Sequence, residues 1–180
     1  MHPARHRALR ELGAFARQMG DHWDALSGRV EGPAARSLRA GSEAARAVLD
    51  DVKALASARD LEIGPAAMNA GRVARARPPV PDALLEANQA LRFALLDAEH
   101  LQTLARYVGR LSAAEGDTEL EAACERWAKA LQRPASAAKR AAIALGDDPD
   151  AAIRPISKGQ KLGYLFGWFG EAADRRSARK

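Results

Sequence analysis

Apolar residues recur along this chain at steps of three and four, in four long runs. The longest stretch free of Gly and Pro covers residues 82–108. It carries Leu84, Ala87, Leu91, Ala94, Ala98, Leu101, Ala105 and Val108 in register. That spacing draws one apolar stripe down a helix and predicts a helix over 81–112. A second run, Leu9, Leu12, Ala16, Met19, Trp23, Leu26 and Val30, predicts a helix over 3–29. Gly13 and Gly20 lie seven apart on a neighbouring face of it. Each costs about 1 kcal/mol relative to Ala inside a helix, so a close helix crossing is the expected compensation.

Two further helices complete the pattern. Over 33–59, Leu38, Ala45, Leu49, Val52 and Leu55 are expected to face inward, with Gly41 and Ser42 as small positions between them and Pro33 at the first turn. After the turn Ala113-Ala114-Glu115-Gly116-Asp117, the residues Leu120, Cys124, Trp127, Leu131, Ala138, Ala142 and Leu145 mark a fourth inward stripe. Asp117 is the expected N-cap and Glu119 and Glu121 suit a helix N-terminus. Pro134 is expected to kink this helix or divide it, and Gly146 to end it. Asp147-Asp148-Pro149-Asp150 then begins a short turn or helix.

The breaks between runs set the organisation. Glu31-Gly32-Pro33 is a short turn, so the first two helices form an antiparallel hairpin, and the last two form another. Between them, residues 60–81 hold Gly64-Pro65, Gly71, three arginines (Arg72, Arg75, Arg77) and Pro78-Pro79-Val80-Pro81. That length suits a crossover running along a bundle, with a short helical piece near 65–70. The expectation is an all-α, four-helix up-down bundle domain over 1–153, of two antiparallel hairpins joined by a long crossover, followed by a C-terminal tail over 154–180.

Composition supports helices rather than sheets. Of 180 residues 47% are hydrophobic, but alanine supplies much of that and only 5% are aromatic. The single cysteine, Cys124, excludes an intramolecular disulfide framework and a cysteine-rich metal site. With no apolar leader and no run of eighteen apolar residues, a cytoplasmic protein is expected. Charge changes the picture once it is located. Residues 1–153 carry equal numbers of basic and acidic side chains, so the net +5 comes entirely from 154–180, with seven basic and two acidic residues. A balanced body argues against nucleic acid as the partner.

From residue 5 to 146 the plan of two helical hairpins and one long connection resembles the ferritin-like four-helix-bundle superfamily. Metal-binding members of that superfamily place a Glu on each of two helices and a Glu-x-x-His on each of the other two, around two irons or manganeses. Here the nearest match is Asp97-Ala98-Glu99-His100, an Asp-x-x-His that occurs once. The resemblance therefore implies Asp97 and His100 as metal ligands for Fe or Mn, with Glu43, Asp50, Glu121, Glu125 and His22 as partners from other helices. The function it implies is metal storage or stress protection. The plain alternative is that Asp97 and His100 hydrogen-bond each other or a neighbouring helix at the core edge. His2 and His6, near the N-terminus, read as solvated.

No phosphate-binding glycine loop or nucleophile motif stands in the chain, and Cys124 sits on a core stripe, so a catalytic residue is not expected. Trp23 and Trp127, one per hairpin, read as core. The tail is the least ordinary part. Four of the nine aromatic residues lie in it. Lys158, Lys161, Leu162, Tyr164, Leu165, Phe166, Trp168, Phe169, Arg175 and Arg176 combine apolar bulk with positive charge, and glycines recur at 159, 163, 167 and 170. Such a segment has three readings: it closes over the bundle, it docks on another subunit or protein, or it contacts an anionic membrane surface. The expected function is non-enzymatic, a helical protein without a cofactor that acts through protein–protein contact or self-association, with this tail as the contact element.

Overall fold

A computed structural model describes residues 2–61, 85–154 and 156. Four long helices pack together: α1 (Pro3–Ser27), α2 (Gly32–Ser57), α3 (Ala87–Ala114) and α4 (Thr118–Ala144). A 3-10 turn (Leu145–Asp147) and a single helical turn, α5 (Pro149–Ala152), follow. No strand is present among the described residues. Most of the expected crossover, including the helical piece near 65–70 and the stripe residue Leu84, lies outside them, as does nearly all of the C-terminal tail.

Helices α1, α3 and α4 bury most of the stripe their spacing draws, with Val30, Ala87 and Leu145 only half-buried at its ends. Leu9, Leu12, Ala16, Met19, Trp23 and Leu26 of α1 are enclosed, as are Leu91, Ala94, Ala98, Leu101, Ala105 and Val108 of α3. On α4 the buried set is Leu120, Ala123, Cys124, Trp127, Ala128, Leu131, Ala138 and Ala142. On α2 the stripe is rotated from expectation. Val48 and Ala56 are buried beside Leu38, Ala45 and Val52, whereas Leu49 and Leu55 are only half-buried at the core edge. Small residues take the tightest positions and push the larger leucines to the flank.

Two boundaries differ from the expected ones. Helix α3 begins at Ala87, six residues later than the pattern predicts. Residues Leu85 and Glu86 are held extended instead, because Ala87 N–H donates to Arg154 O (3.0 Å) and Ile156 N–H donates to Leu85 O (3.2 Å). Glu86 N–H also donates to Gln89 Oε1 at 3.3 Å, so the helix starts on its own side-chain cap. Of the two expectations for Pro134, a kink or a division, the division is not seen, since α4 continues through it to Ala144. Its ring is buried, and the missing amide leaves the Ala130 carbonyl without its usual partner. Gly146 lies inside the 3-10 turn beyond α4 rather than at the helix end.

Helix α1 packs on α2 and α3, α2 on α4, and α3 on α4. The α1–α2 contact is close. Ser42 Oγ donates to Gly20 O at 2.8 Å, and a Cβ on Gly20 would stand 3.2 Å from Arg46 Cγ. Gly41 is the tighter position: a Cβ there would overlap the Trp23 ring. The indole lies fully buried against the bare backbone, and its Nε1–H donates to Ala94 O of α3 at 3.1 Å. The second indole does likewise across the other helix pair, Trp127 Nε1–H donating to Asp51 Oδ2 of α2 at 2.8 Å.

Gly41→Ala therefore tests whether Trp23 has room to move. Helix propensity alone favours alanine by about 1 kcal/mol, but overlap with a rigid, enclosed ring costs about 1–3 kcal/mol. A net loss of about 1 kcal/mol is expected in urea unfolding, with blue-shifted tryptophan emission disturbed. A neutral or stabilising result would show that the ring is not confined by Gly41.

Candidate functional site

Asp97 and His100 both stand on the side of α3 that meets α1, but the structure does not bring them to one point. Asp97 Oδ2 lies 2.5 Å from His22 Nδ1 of α1. His100 is exposed. Its ring centroid lies 4.1 Å from that of Phe15, tilted by 53°, and its Nε2 is 3.9 Å from Glu11 Oε1. Each residue thus contacts the neighbouring helix separately. Of the partner residues named from the sequence, only His22 reaches this face. Glu43, Asp50, Glu121 and Glu125 are solvent-exposed. Asp50 pairs with Lys53 (3.1 Å) and Glu125 with Lys129 (2.8 Å), whose hydrogen bond holds the Glu125 carboxyl below its ordinary range. The cause is helical phase: Glu43 and Asp50 each precede a buried residue, Ala45 and Val52, by two positions, roughly opposite on the helix. Among the described residues no three His, Cys, Asp or Glu side chains are grouped closely enough to hold one metal ion.

At the end of the bundle where α1 begins, a charge cluster forms that the sequence reading did not foresee. Asp117 caps α4 by accepting from Leu120 N–H (3.1 Å). It also accepts from Arg59 through both carboxylate oxygens, Nη2 to Oδ1 at 2.9 Å and Nε to Oδ2 at 3.2 Å, and from Arg5 Nη1 at 3.1 Å. Arg5, itself buried, reaches Glu115 at 3.0 Å, and Arg59 reaches Glu119 at 2.9 Å. One carboxylate thereby joins the start of α1, the residues after α2 and the first turn of α4. The Asp117 and Arg59 side chains are only 16% and 18% exposed, so water screens the pair weakly. Glu119 is 72% exposed and adds little. The Arg59 hydrogen bonds hold the Asp117 carboxyl below the usual carboxylate range, and the same bonds raise Arg59. Only the cap was legible in the sequence; the two arginines come from 58 and 112 residues away.

The described surface also holds an apolar groove, on the outer face of α3. Leu85, Gln89, Arg92, Phe93 and Leu96 line an open groove of about 500 Å³. Helical spacing keeps Gln89, Arg92, Phe93 and Leu96 on one face, turned away from the core stripe of Leu91, Ala94 and Ala98, while Leu85, just before the helix and buried in the core cluster, bounds its near end. Phe93 is 46% and Leu96 44% exposed, and Tyr107 lies further along the helix, exposed as well. The available signal was Phe93 and Leu96 themselves, three apart and off the core register. The segment expected to make contacts, with Lys158, Lys161, Leu162, Tyr164, Leu165, Phe166, Trp168, Phe169, Arg175 and Arg176, lies outside the described residues.

Cys124 is buried beside Gly109, where an added Cβ would stand 3.2 Å from the Cys124 Cβ. Burial pushes its thiol up to about 12, with the negative charge of Asp117 a smaller contribution. A thiol so protonated at neutral pH is a poor nucleophile. Comparison of the chain with protein-family models, with curated proteins and with solved structures gives no match.

Two outcomes are expected here. Asn caps a helix about as well as Asp, so Asp117→Asn removes the charge and keeps the cap, at a loss of about 2 kcal/mol near neutral pH. Asp117→Ala loses about 1 kcal/mol more. Because the folded carboxyl lies below its unfolded value of 3.8, its contribution is present above that pH and is lost as pH falls through the folded value. Urea midpoints at pH 7 and pH 3 should therefore converge between wild type and Asp117→Asn at the lower pH; a constant gap would refute the ion pairs. Separately, Cys124 should resist a thiol reagent in the native protein at pH 8 and react fully in denaturant. Stoichiometric native labelling would contradict its burial.

Proposed function

We propose that this chain is a non-enzymatic helical protein that acts by binding another protein, with the C-terminal segment 158–180 as its contact element. The observation that carries the reading is where that segment starts. Ile156, two residues before it, donates its N–H to Leu85 O at 3.2 Å, and Leu85 is the first lining residue of the apolar groove on α3. A segment carrying Leu162, Phe166, Trp168 and Phe169 thus begins beside an apolar face, and contiguous apolar surface of this kind marks protein contact sites.

The same proposal extends to the backbone, as a ferritin-like bundle. Arg5, Arg59 and Asp117 meet at one end. At the other, Asn88 Nδ2–H donates to Ala142 O (2.8 Å) and Ala87 N–H to Arg154 O. These contacts support two antiparallel hairpins, with the chain leaving α2 at the Asp117 end and entering α3 at the opposite one. The resemblance is proposed for the backbone alone. Where metal-binding members hold carboxylates, the enclosed side chains here are Leu, Ala, Met, Val and Trp, and Asp97 takes His22 as its partner.

Deleting residues 158–180 tests the function. Full-length protein should self-associate by light scattering or retain a cross-linkable protein partner. The truncated chain should lose that contact and melt within a few degrees of wild type. A truncated chain that keeps its association and only melts earlier would reduce the segment to packing.

A further inference from the structure

We propose that residues 162–169 of the chain's own C-terminal segment seat in the α3 groove lined by Leu85, Gln89, Arg92, Phe93 and Leu96, so that contact element and groove cover each other until a protein partner displaces the segment. This rests on the functional reading above and supplies its regulation.

The first argument is where the described chain ends. Arg154 O accepts from Ala87 N–H (3.0 Å), Ile156 N–H donates to Leu85 O (3.2 Å), and the Ile156 side chain is buried in the core cluster. The chain is therefore pinned on both sides of residue 155, at the Leu85 end of the groove. The second argument is reach. From Ala87 to Leu96 the groove runs about 14 Å along the helix axis, with Leu85 just before it. Five residues, 157–161, span at most about 17 Å when extended. The eight residues 162–169 then cover about 12 Å as a helix or about 26 Å as an extended strand. Either conformation reaches Phe93 and Leu96 from Ile156.

Chemistry agrees with geometry. The groove offers half-exposed Phe93 and Leu96 with one charged residue, Arg92. The segment offers Leu162, Leu165, Phe166 and Trp168, followed by its two acidic residues, Glu171 and Asp174, as partners for that arginine. Tethering does the rest. A tether of a few residues gives an effective concentration of about 1 mM, so a contact with a dissociation constant of about 0.1 mM is occupied about nine-tenths of the time. A partner that needs the free segment then binds about tenfold more weakly than it would to the undocked one.

Hydrogen exchange of the full chain tests this, comparing wild type with Phe93→Asp/Leu96→Asp and with Tyr107→Asp, which lies on the same helix outside the groove. In wild type, amides 162–169 should exchange about tenfold slower than the free peptide rate, equally at 1 and 20 μM protein. The groove variant should return them to the free rate, and Tyr107→Asp should leave them protected. Free-rate exchange in wild type, or equal protection in the groove variant, overturns the proposal. Protection that falls on dilution also overturns it, by showing that the occupant is a second copy. Protection of α3's own amides reports whether each variant is folded, and Phe93→Ser/Leu96→Ser replaces the aspartate variant if it is not. A docked segment with no partner sinks the functional reading alone; a partner captured by an undocked segment sinks this inference alone.

Discussion

Two indole N–H groups constrain how the helices meet. In an alanine-rich bundle helices approach closely, and a tryptophan fits only where the opposing backbone is bare. Trp23 finds that space over Gly41 of α2 and sends its N–H to Ala94 O of α3. Trp127 of α4 sends its N–H to Asp51 of α2. A buried indole N–H left unpaired costs about 1–3 kcal/mol, so each ring fixes the register of one helix against another: α1 against α3, and α4 against α2. Apolar stripes of Leu and Ala tolerate sliding by comparison, because one small side chain replaces another with little loss of contact.

The Asp117 cluster acts at the end of the bundle where the indoles do not. It draws Arg5, Arg59 and the α3–α4 turn to one carboxylate, and Gly116 in that turn adopts φ +73, a conformation that favours glycine. Buried ion pairs of this kind are modest sources of net stability but severe to break singly, since the remaining charges lose their partners. By sharing Asp117, Arg5 and Arg59 tie the start of α1 and the residues after α2 to the α3–α4 turn. That arrangement also leaves α3 with its outer face open over Phe93 and Leu96.

The body has balanced charge and an apolar interior, and the outer face of α3 carries an exposed groove. Asp97 and His22 bridge α3 to α1, the Glu and Asp residues of α2 and α4 face solvent, and the Cys124 thiol is pushed up to about 12 by burial.

Helix content, the four apolar stripes, the Asp117 cap and the small residues at 41 and 42 were legible in the sequence, because each depends on neighbours within one or two turns. Helical period is a local property, and so is capping. The start of α3 at Ala87, the rotation of α2 toward Val48 and Ala56, and the separation of Asp97 from His100 were not legible. Each is decided by groups distant in the chain: Arg154 and Ile156 holding Leu85 and Glu86 extended, small residues competing for the tightest positions, and His22 and Glu11 drawing the two side chains apart. The spacing of apolar residues is enough to give the buried face of α1, α3 and α4. Only the tertiary structure decided which polar residues meet, because a hydrogen bond needs its two atoms within about 3 Å and the chain pattern says nothing about distances between helices.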